Sequence, residues 1–208
     1  MVFKLISPRT QKKEILYTSK IVIVGGASVG KTCLFNRFCF NSFNFDSSMT
    51  IGLNFHSVNL PIHKKDAIES VPKNKPGFII NSIFDFGGQD RFKPLIPKFL
   101  GGADGALLVF DLINPISFEQ LEFWYDQLLE HADGSKIPKI LVGSKSDLLD
   151  SSLKDKIIQE EVIKDFVKEK ELDGFFKTSA LKNCNVLEVF KELNNMILRY
   201  RNTSYVVS

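Results

Sequence analysis

A glycine-rich segment that ends in a lysine and a threonine carries the clearest chemistry in the sequence. It reads Gly25-Gly26-Ala27-Ser28-Val29-Gly30-Lys31-Thr32, which is Gly, four residues, then Gly-Lys-Thr. Backbone N–H groups in such a turn, aimed by the positive end of a following helix, form an anion site that needs no side chains. Lys31 adds a positive charge for the β- and γ-phosphates of a nucleotide, and the Thr32 hydroxyl is placed to bind Mg²⁺. The sequence therefore predicts a nucleotide phosphate site here.

The neighbouring segments must hold this loop between a strand and a helix. Residues 21–24 form an apolar β-branched run, and residues 31–40 have the pattern of a helix. Further runs predict strands at 53–62, 78–85, 106–110, 139–142 and 175–177, and helices at 117–131, 156–170 and 186–200. This alternation predicts an α/β fold with a six-stranded, mostly parallel sheet and helices on both faces. Such sheets bind ligands beyond the carboxyl ends of their strands.

Further polar residues follow a predicted strand at that same edge. Asp85 ends the strand, at the position where nucleotide hydrolases place a carboxylate that holds the metal through water. Gly88 allows a backbone N–H to approach the γ-phosphate, and Gln89 is placed to hold a water in line with the phosphorus. These residues predict a hydrolytic centre beside the phosphate loop.

Two other stretches have the chemistry to recognise a purine base. Ser144-Lys145-Ser146-Asp147 follows a strand, and a carboxylate there accepts both N–H groups on one edge of guanine, an edge that adenine lacks. Thr178-Ser179-Ala180 follows the last predicted strand and presents a backbone N–H to the guanine carbonyl oxygen. We therefore expect the nucleotide to be a guanine nucleotide.

The order of these motifs resembles that of the small GTPases of the Ras superfamily, and of the Rab branch most closely, over residues 21–201. The resemblance implies the three-layer P-loop NTPase fold of small G proteins. It also implies a molecular switch that binds GTP or GDP with Mg²⁺, hydrolyses GTP slowly, and orders two segments around the γ-phosphate. Residues 50–52 resemble the first of these switch segments, and residues 84–92 resemble the second. Phe43 matches the aromatic residue that packs against the guanine.

The resemblance extends to individual residues. It implies roles in hydrolysis for Gln89, Lys31 and Thr50, and Mg²⁺ binding by Thr32, Thr50 and, through water, Asp85. The nucleotide-binding set that it implies is Gly26, Ala27, Ser28, Val29, Gly30, Lys31, Thr32, Cys33, Phe43, Thr50, Gly88, Ser144, Lys145, Asp147, Ser179, Ala180 and Leu181.

The sequence departs from the family pattern at several positions. Ala27 and Ser28 stand where many relatives have glycines, although the Rab branch often has a small side chain at the Ala27 position; a methyl group there can crowd an arginine supplied by an activating protein. Ser144 replaces the usual Asn, which bridges the guanine and the phosphate loop, and the shorter side chain predicts lower guanine affinity. Residues 86–87 are Phe-Gly in place of Thr-Ala, and the connection between the second and third strands is longer than usual.

Two other functions fit part of the pattern. The departures at Ala27, Ser144 and the second switch also fit a module that binds a guanine nucleotide without hydrolysing it. The phosphate loop alone also fits an adenine-nucleotide phosphotransferase. Asp147 and the lack of an evident phosphoacceptor site speak against that second alternative.

Composition limits the class of protein. The chain has 208 residues, 44% hydrophobic and 25% charged, which is typical of one globular domain. We divide it into an N-terminal extension at 1–18, a GTPase domain at 19–202 and a short tail at 203–208. A net charge of +3 is too mild to indicate nucleic acid as a partner. Cys33, Cys39 and Cys184 lack metal-ligand spacing and predict buried, reduced thiols.

The sequence also carries expectations about location and partners. It has no apolar run of membrane-spanning length, Val2 does not signal myristoylation, and the last four residues contain no cysteine for prenylation. We expect a cytoplasmic monomer without its own membrane anchor that reaches membranes through partners. The resemblance implies that these partners are effectors, exchange factors and GTPase-activating proteins.

Overall fold

The computed structural model describes residues 14–44, 50–65, 77–88, 94, 96–134, 136–153 and 156–207. Its strands, β1 to β7, are Glu14–Val24, Leu53–Lys64, Gly77–Phe86, Gly105–Asp111, Lys139–Ser144, Gly174–Lys177 and Tyr205–Val207. Its α-helices, α1 to α6, are Lys31–Phe40, Ile96–Leu100, Pro115–Glu119, Leu121–His131, Glu160–Glu169 and Val186–Tyr200, and a 3₁₀ helix spans Ser146–Ser151.

The strands form a single sheet in the order β6-β5-β4-β1-β3-β2-β7. Strand β1 pairs in parallel with β3 and β4, and parallel pairing continues from β4 to β5 and from β5 to β6. Strand β2 pairs antiparallel with both β3 and β7. The mostly parallel sheet is therefore confirmed, and its second and third strands form an antiparallel pair.

Helices cover both faces of the sheet because the side chains of β1 alternate between them. Val22 and Val24 point to the face covered by α4 and α5, where the largest buried side chain is Trp124. Ile21 and Ile23 point to the opposite face, where they pack with residues of α1 and α6. Since both faces are buried, β1 reads as a continuous apolar run at its carboxyl end. This confirms the three-layer α/β prediction.

The sheet of the described residues has seven strands, so the prediction of six is wrong. The additional strand, β7, lies in the segment that the sequence analysis assigned to a short tail, and it pairs Ile62 with Val207. Val207 is buried in a small apolar cluster with Leu198 of α6. Three residues are too few to show a periodic pattern, and the pairing depends on the position of β2. Strand β1 likewise begins at Glu14, inside the predicted N-terminal extension.

Two predicted helices have different bounds in the structure. The run at 117–131 is divided into α3 and α4, with Gln120 between them. Helix α5 begins at Glu160, four positions later than the predicted start at residue 156, and it has two acidic residues in its first turn. The last helix, α6, matches its prediction at 186–200. Among the described residues, no helix has both the length and the apolar character needed to cross a membrane.

The cysteines are less buried than the sequence predicts. Cys33 and Cys39 are half-buried on α1, and Cys184 is exposed, so the prediction of a buried thiol is wrong for Cys184. Burial, with a smaller effect from the negative charge of Asp85, raises the pKa of the Cys39 thiol to about 12. Cys39 is therefore protonated and unreactive at neutral pH.

Replacement of Val207 by alanine tests the seventh strand. Because Val207 packs in the cluster with Leu198 and Ile62, we expect this change to lower the free energy of unfolding by about 1 to 3 kcal/mol, measured by urea denaturation. Val206, which is only half-buried, is the control, and Val206→Ala is expected to cost less than half as much. Equal effects of the two changes would contradict the docking of β7.

Candidate nucleotide site

The glycine-rich segment connects the buried end of β1 to the start of α1. A Cβ atom at Gly25 would lie 2.1 Å from the carbonyl oxygen of Val109, so the close approach to β4 requires glycine there. Gly30, with a φ of +95°, precedes the first residue of α1. Ser28 also has a positive φ, +60°, although it is not a glycine. These conformations turn the chain sharply between strand and helix, which is the backbone arrangement that an anion-binding loop needs.

The side chain of Lys31 folds back over this loop. Its Nζ atom donates hydrogen bonds to the carbonyl oxygens of Gly25 at 2.9 Å and Gly26 at 2.5 Å, and the residue is 5% exposed. Burial lowers the pKa of Lys31 to about 8, and the negative charge of Asp85 partly opposes this effect. Because Nζ is hydrogen-bonded to the carbonyl oxygens of the loop itself, the ammonium group lies where it can move from these carbonyls to a bound phosphate.

Three side-chain oxygens converge next to Lys31. Thr32 Oγ1 lies 2.5 Å from Thr50 Oγ1 and donates a hydrogen bond to Asp85 Oδ2 at 2.7 Å. Asn54, which the sequence analysis did not identify, donates to the same carboxylate oxygen at 3.1 Å. The sequence carries no signal for Asn54, because its role depends on the antiparallel register that places it opposite Asp85.

The surroundings of Asp85 fit a divalent cation. The residue is fully buried, and its Oδ1 atom has no hydrogen-bond donor among the described residues. Burial raises the pKa of Asp85, and hydrogen bonds from Thr32 and Asn54 oppose this effect. A buried carboxylate oxygen without a donor, beside two hydroxyl oxygens, suits the oxygen ligands and bound waters that Mg²⁺ prefers.

The start of the predicted second switch lies against the phosphate loop. A Cβ atom at Gly88 would be 2.4 Å from the carbonyl group of Gly26 and 2.5 Å from the nitrogen of Ala27. The backbone of Gly88 therefore leaves no room for a side chain against the loop, and its predicted approach to a γ-phosphate stays a prediction. Gln89, the predicted water-positioning residue, lies outside the described residues, and its role remains a prediction.

The two predicted base-recognition stretches meet at the carboxyl ends of β5 and β6. Ser179 Oγ donates a hydrogen bond to Asp147 Oδ1 at 2.5 Å, and the Ser146 N–H donates to the carbonyl oxygen of Thr178 at 3.0 Å. Ser144 Oγ donates to the carbonyl oxygen of Val29 at 2.5 Å. Ser144 therefore keeps a link between this region and the phosphate loop, although it is shorter than the asparagine it replaces.

Lys145 is held by an acidic residue that the sequence analysis missed. Its Nζ atom lies 2.6 Å from Asp111 Oδ2, and the Asp111 side chain is 7% exposed. The second carboxylate oxygen of Asp111 accepts a hydrogen bond from the Ile113 N–H at 3.1 Å. The sequence did contain a signal for Asp111. This aspartate ends the apolar strand β4, just as Asp85 follows the apolar residues of β3.

The other predicted residues lie around this edge of the sheet. Val29 is buried beneath the phosphate loop, and Cys33 is half-buried in the first turn of α1. Phe43, three residues after α1, is also half-buried. Leu181 is 38% exposed in the loop after Ser179. Hydrogen bonds join the phosphate loop to Ser144, and Asp147 to Ser179, from loops that are distant in the sequence.

Comparisons with known proteins agree with this arrangement. The sequence model of the Ras family matches residues 20–199 of this chain. The chain is 37% identical to the Ras-related protein YPTC6 of Chlamydomonas reinhardtii, over 85% of this chain and 74% of that protein. It is 35% identical to the Ras-related protein RABA1h of Arabidopsis thaliana, over 88% of this chain and 76% of that protein. It is also 35% identical to the GTP-binding protein ypt3 of Schizosaccharomyces pombe, over 91% of this chain and 80% of that protein.

A mostly parallel sheet with a phosphate loop after its first strand and a buried aspartate on the neighbouring strand is typical of a P-loop nucleotide-binding protein. The chain belongs to the Ras family of small GTPases, and it is similar to relatives of the Rab and Ypt type.

The lowered pKa of Lys31 predicts a pH-dependent affinity for GDP. Phosphate favours the charged amine, so affinity should be constant below the pKa of about 8 and should fall above it, by at most about tenfold per pH unit. Calorimetric titration with GDP from about pH 7 to about pH 9 measures this dependence. Lys31→Arg is the control, because arginine stays charged, and its profile should be flatter. Parallel profiles for the two proteins would contradict the assignment.

Proposed function

We propose that this protein is a GTP-binding switch that hydrolyses GTP to GDP and phosphate, with Rab-like regulation of trafficking or signalling. The observation that carries the proposal is the convergence of the Thr32, Thr50 and Asp85 oxygens, at 2.5 and 2.7 Å, beside the buried Lys31 ammonium. This arrangement suits a triphosphate with Mg²⁺. The pairing of Asp147 with Ser179 adds a place for guanine at the same edge of the sheet.

Hydrolysis of this kind depends on positioning and electrostatic stabilisation, with no covalent intermediate on the protein. Lys31 would release the carbonyl oxygens of Gly25 and Gly26 and contact the β- and γ-phosphates. Gln89 would orient the attacking water. When bound, Mg²⁺ would supply positive charge that neutralises the phosphates, and Thr32, Thr50 and Asp85 would hold it.

The switch would work by ordering and releasing two segments. Thr50 belongs to the first segment and already contacts Thr32 on α1. Gly88 belongs to the second, and its backbone lies against Gly26 and Ala27 of the loop. Loss of the γ-phosphate would remove the contacts that hold both segments at the loop. Partners could then distinguish the GTP-bound state from the GDP-bound state.

Three kinds of partner follow from this proposal. Effectors would bind the GTP form, exchange factors would release GDP, and an activating protein would supply an arginine to the transition state, worth roughly 10³ to 10⁵ in rate. We expect the protein to act as a monomer in the cytoplasm. The exposed side chains of Ile51 and Phe55, on either side of the start of β2, provide apolar surface beside the first switch.

Multiple-turnover release of phosphate from purified protein with GTP and Mg²⁺ tests the proposed activity. Gln89→Leu should retain GDP affinity but slow hydrolysis at least about tenfold, because leucine cannot hydrogen-bond to water. Identification of the copurified nucleotide checks the ligand in the same sample. Phosphate release no faster than in buffer without protein, with GTP still bound to the protein, would favour a non-hydrolysing module. Unchanged turnover in the variant would remove Gln89 from the mechanism.

Asp147→Asn tests recognition of the base. Asparagine offers one acceptor and one donor, which match the N–H and C=O of xanthine better than the two N–H groups of guanine. Competition between GDP and xanthosine diphosphate should shift towards xanthosine by at least about tenfold. The exposed Asp150, changed to asparagine, is the control and should leave the preference unchanged. ADP competing better than GDP for the unaltered protein would overturn the guanine assignment.

A further inference from the structure

Arg37, near the end of α1, binds the loop that follows β6. Its Nε atom donates a hydrogen bond to the carbonyl oxygen of Ala180 at 2.7 Å, and Nη2 lies 3.5 Å from the carbonyl oxygen of Leu181. Nη1 donates to the backbone and side-chain oxygens of Asn41 at 3.0 and 3.1 Å. These acceptors are all neutral oxygens. The guanidinium therefore joins the end of α1 to the loop through directional hydrogen bonds.

The two ends of this loop are held by other contacts. Ser179 and Cys184 exchange backbone hydrogen bonds, with the Cys184 N–H donating to the Ser179 oxygen at 2.9 Å and the Ser179 N–H donating to the Cys184 oxygen at 3.1 Å. Ser179 Oγ accepts the Lys182 N–H at 3.0 Å and donates to Asp147. Ala180 and Leu181 lie between these ends, in the part of the loop that Arg37 contacts.

The planarity of the peptide bond gives these contacts a direction. The Ser179 carbonyl and the Ala180 N–H belong to the same trans peptide and point in opposite directions. Because the Ser179 oxygen accepts from Cys184, the Ala180 N–H must point away from Cys184. Arg37 fixes the next peptide plane through the Ala180 oxygen. Together the two bonds restrict rotation on either side of the Ala180 Cα atom.

We propose that Arg37 is a positioning residue for guanine recognition. By holding the Ala180 and Leu181 carbonyls, it keeps the Ala180 N–H aimed at the 6-oxo oxygen of the base. This inference rests on the proposed guanine site. Helix α1 begins at Lys31, so one helix carries both the phosphate contact and the anchor of the base-recognition loop.

A nucleotide altered at one atom isolates this contact. In 6-thioguanosine diphosphate, sulfur, a weak acceptor, replaces the 6-oxo oxygen, while the N–H groups that face Asp147 remain. Dissociation rates of GDP and of this analogue are measured for the unaltered protein, Arg37→Ala and Arg37→Lys. Arg199→Ala, which removes an exposed arginine paired with Glu192, is the matched control.

The unaltered protein and the Arg199 variant should release the thio analogue about 5 to 10 times faster than GDP, as expected for loss of one good hydrogen bond. In Arg37→Ala this ratio should fall, because the peptide on the carboxyl side of Ala180 is then free to rotate and only the Cys184 bond orients the Ala180 N–H. Arg37→Lys keeps the charge but lacks the planar fork, so its ratio should also fall. If the alanine variant does not fold, the lysine variant alone is compared with the unaltered protein.

Two results would overturn the inference. The first is a ratio unchanged in the Arg37 variants, whether or not both dissociation rates rise, since a merely structural role affects the two nucleotides equally. The second is a ratio of one in the unaltered protein, which would mean that no hydrogen bond reads the 6-oxo oxygen. Failure of the unaltered protein to bind either nucleotide would instead refute the proposed function, which is a separate outcome.

Discussion

The burial of two opposite charges, those of Lys31 and Asp85, near one edge of the sheet is the constraint on which the site depends. Lys31 is 5% exposed and Asp85 is fully buried, so both charged groups have lost most of their contact with water. Burial lowers the pKa of the amine and raises that of the carboxylic acid, and each charge partly opposes the shift of the other. Loop carbonyls, Thr32 and Asn54 supply hydrogen bonds to the pair. Removing one partner would leave the other charge buried and uncompensated.

The sheet sets the distance between these charges. Strand β1 leads into the phosphate loop, and its partner in the sheet, β3, carries Asp85 directly beside Ile23. Strand β2 adds Asn54 from the other side of β3. Because parallel strands place their carboxyl ends at one edge, residues far apart in the sequence become neighbours without a long loop. The apolar side chains on both faces keep this register, since a slip by one residue would move them to the wrong face.

The predicted base-recognition side depends on contacts between elements more than on the sheet alone. Ser144 reaches the carbonyl of Val29, and Asp111 binds Lys145 across the neighbouring strand ends. Arg37 reaches the loop at Ala180 from α1, more than one hundred residues earlier in the sequence. The phosphate and base regions are therefore linked by short hydrogen bonds.

The amino-acid sequence by itself determined the fold class, the phosphate loop and Asp85, and it predicted the two candidate base-recognition stretches, because each depends on local pattern and on spacing within one segment. Tertiary structure decided the rest. Asn54, Asp111 and Arg37 have roles only through partners brought close by strand order and helix packing. Strand β7 exists because β2 offers a free edge and Val207 finds an apolar cluster. The sequence around such a residue does not indicate its partner, because the contact forms only when folding brings the two residues together.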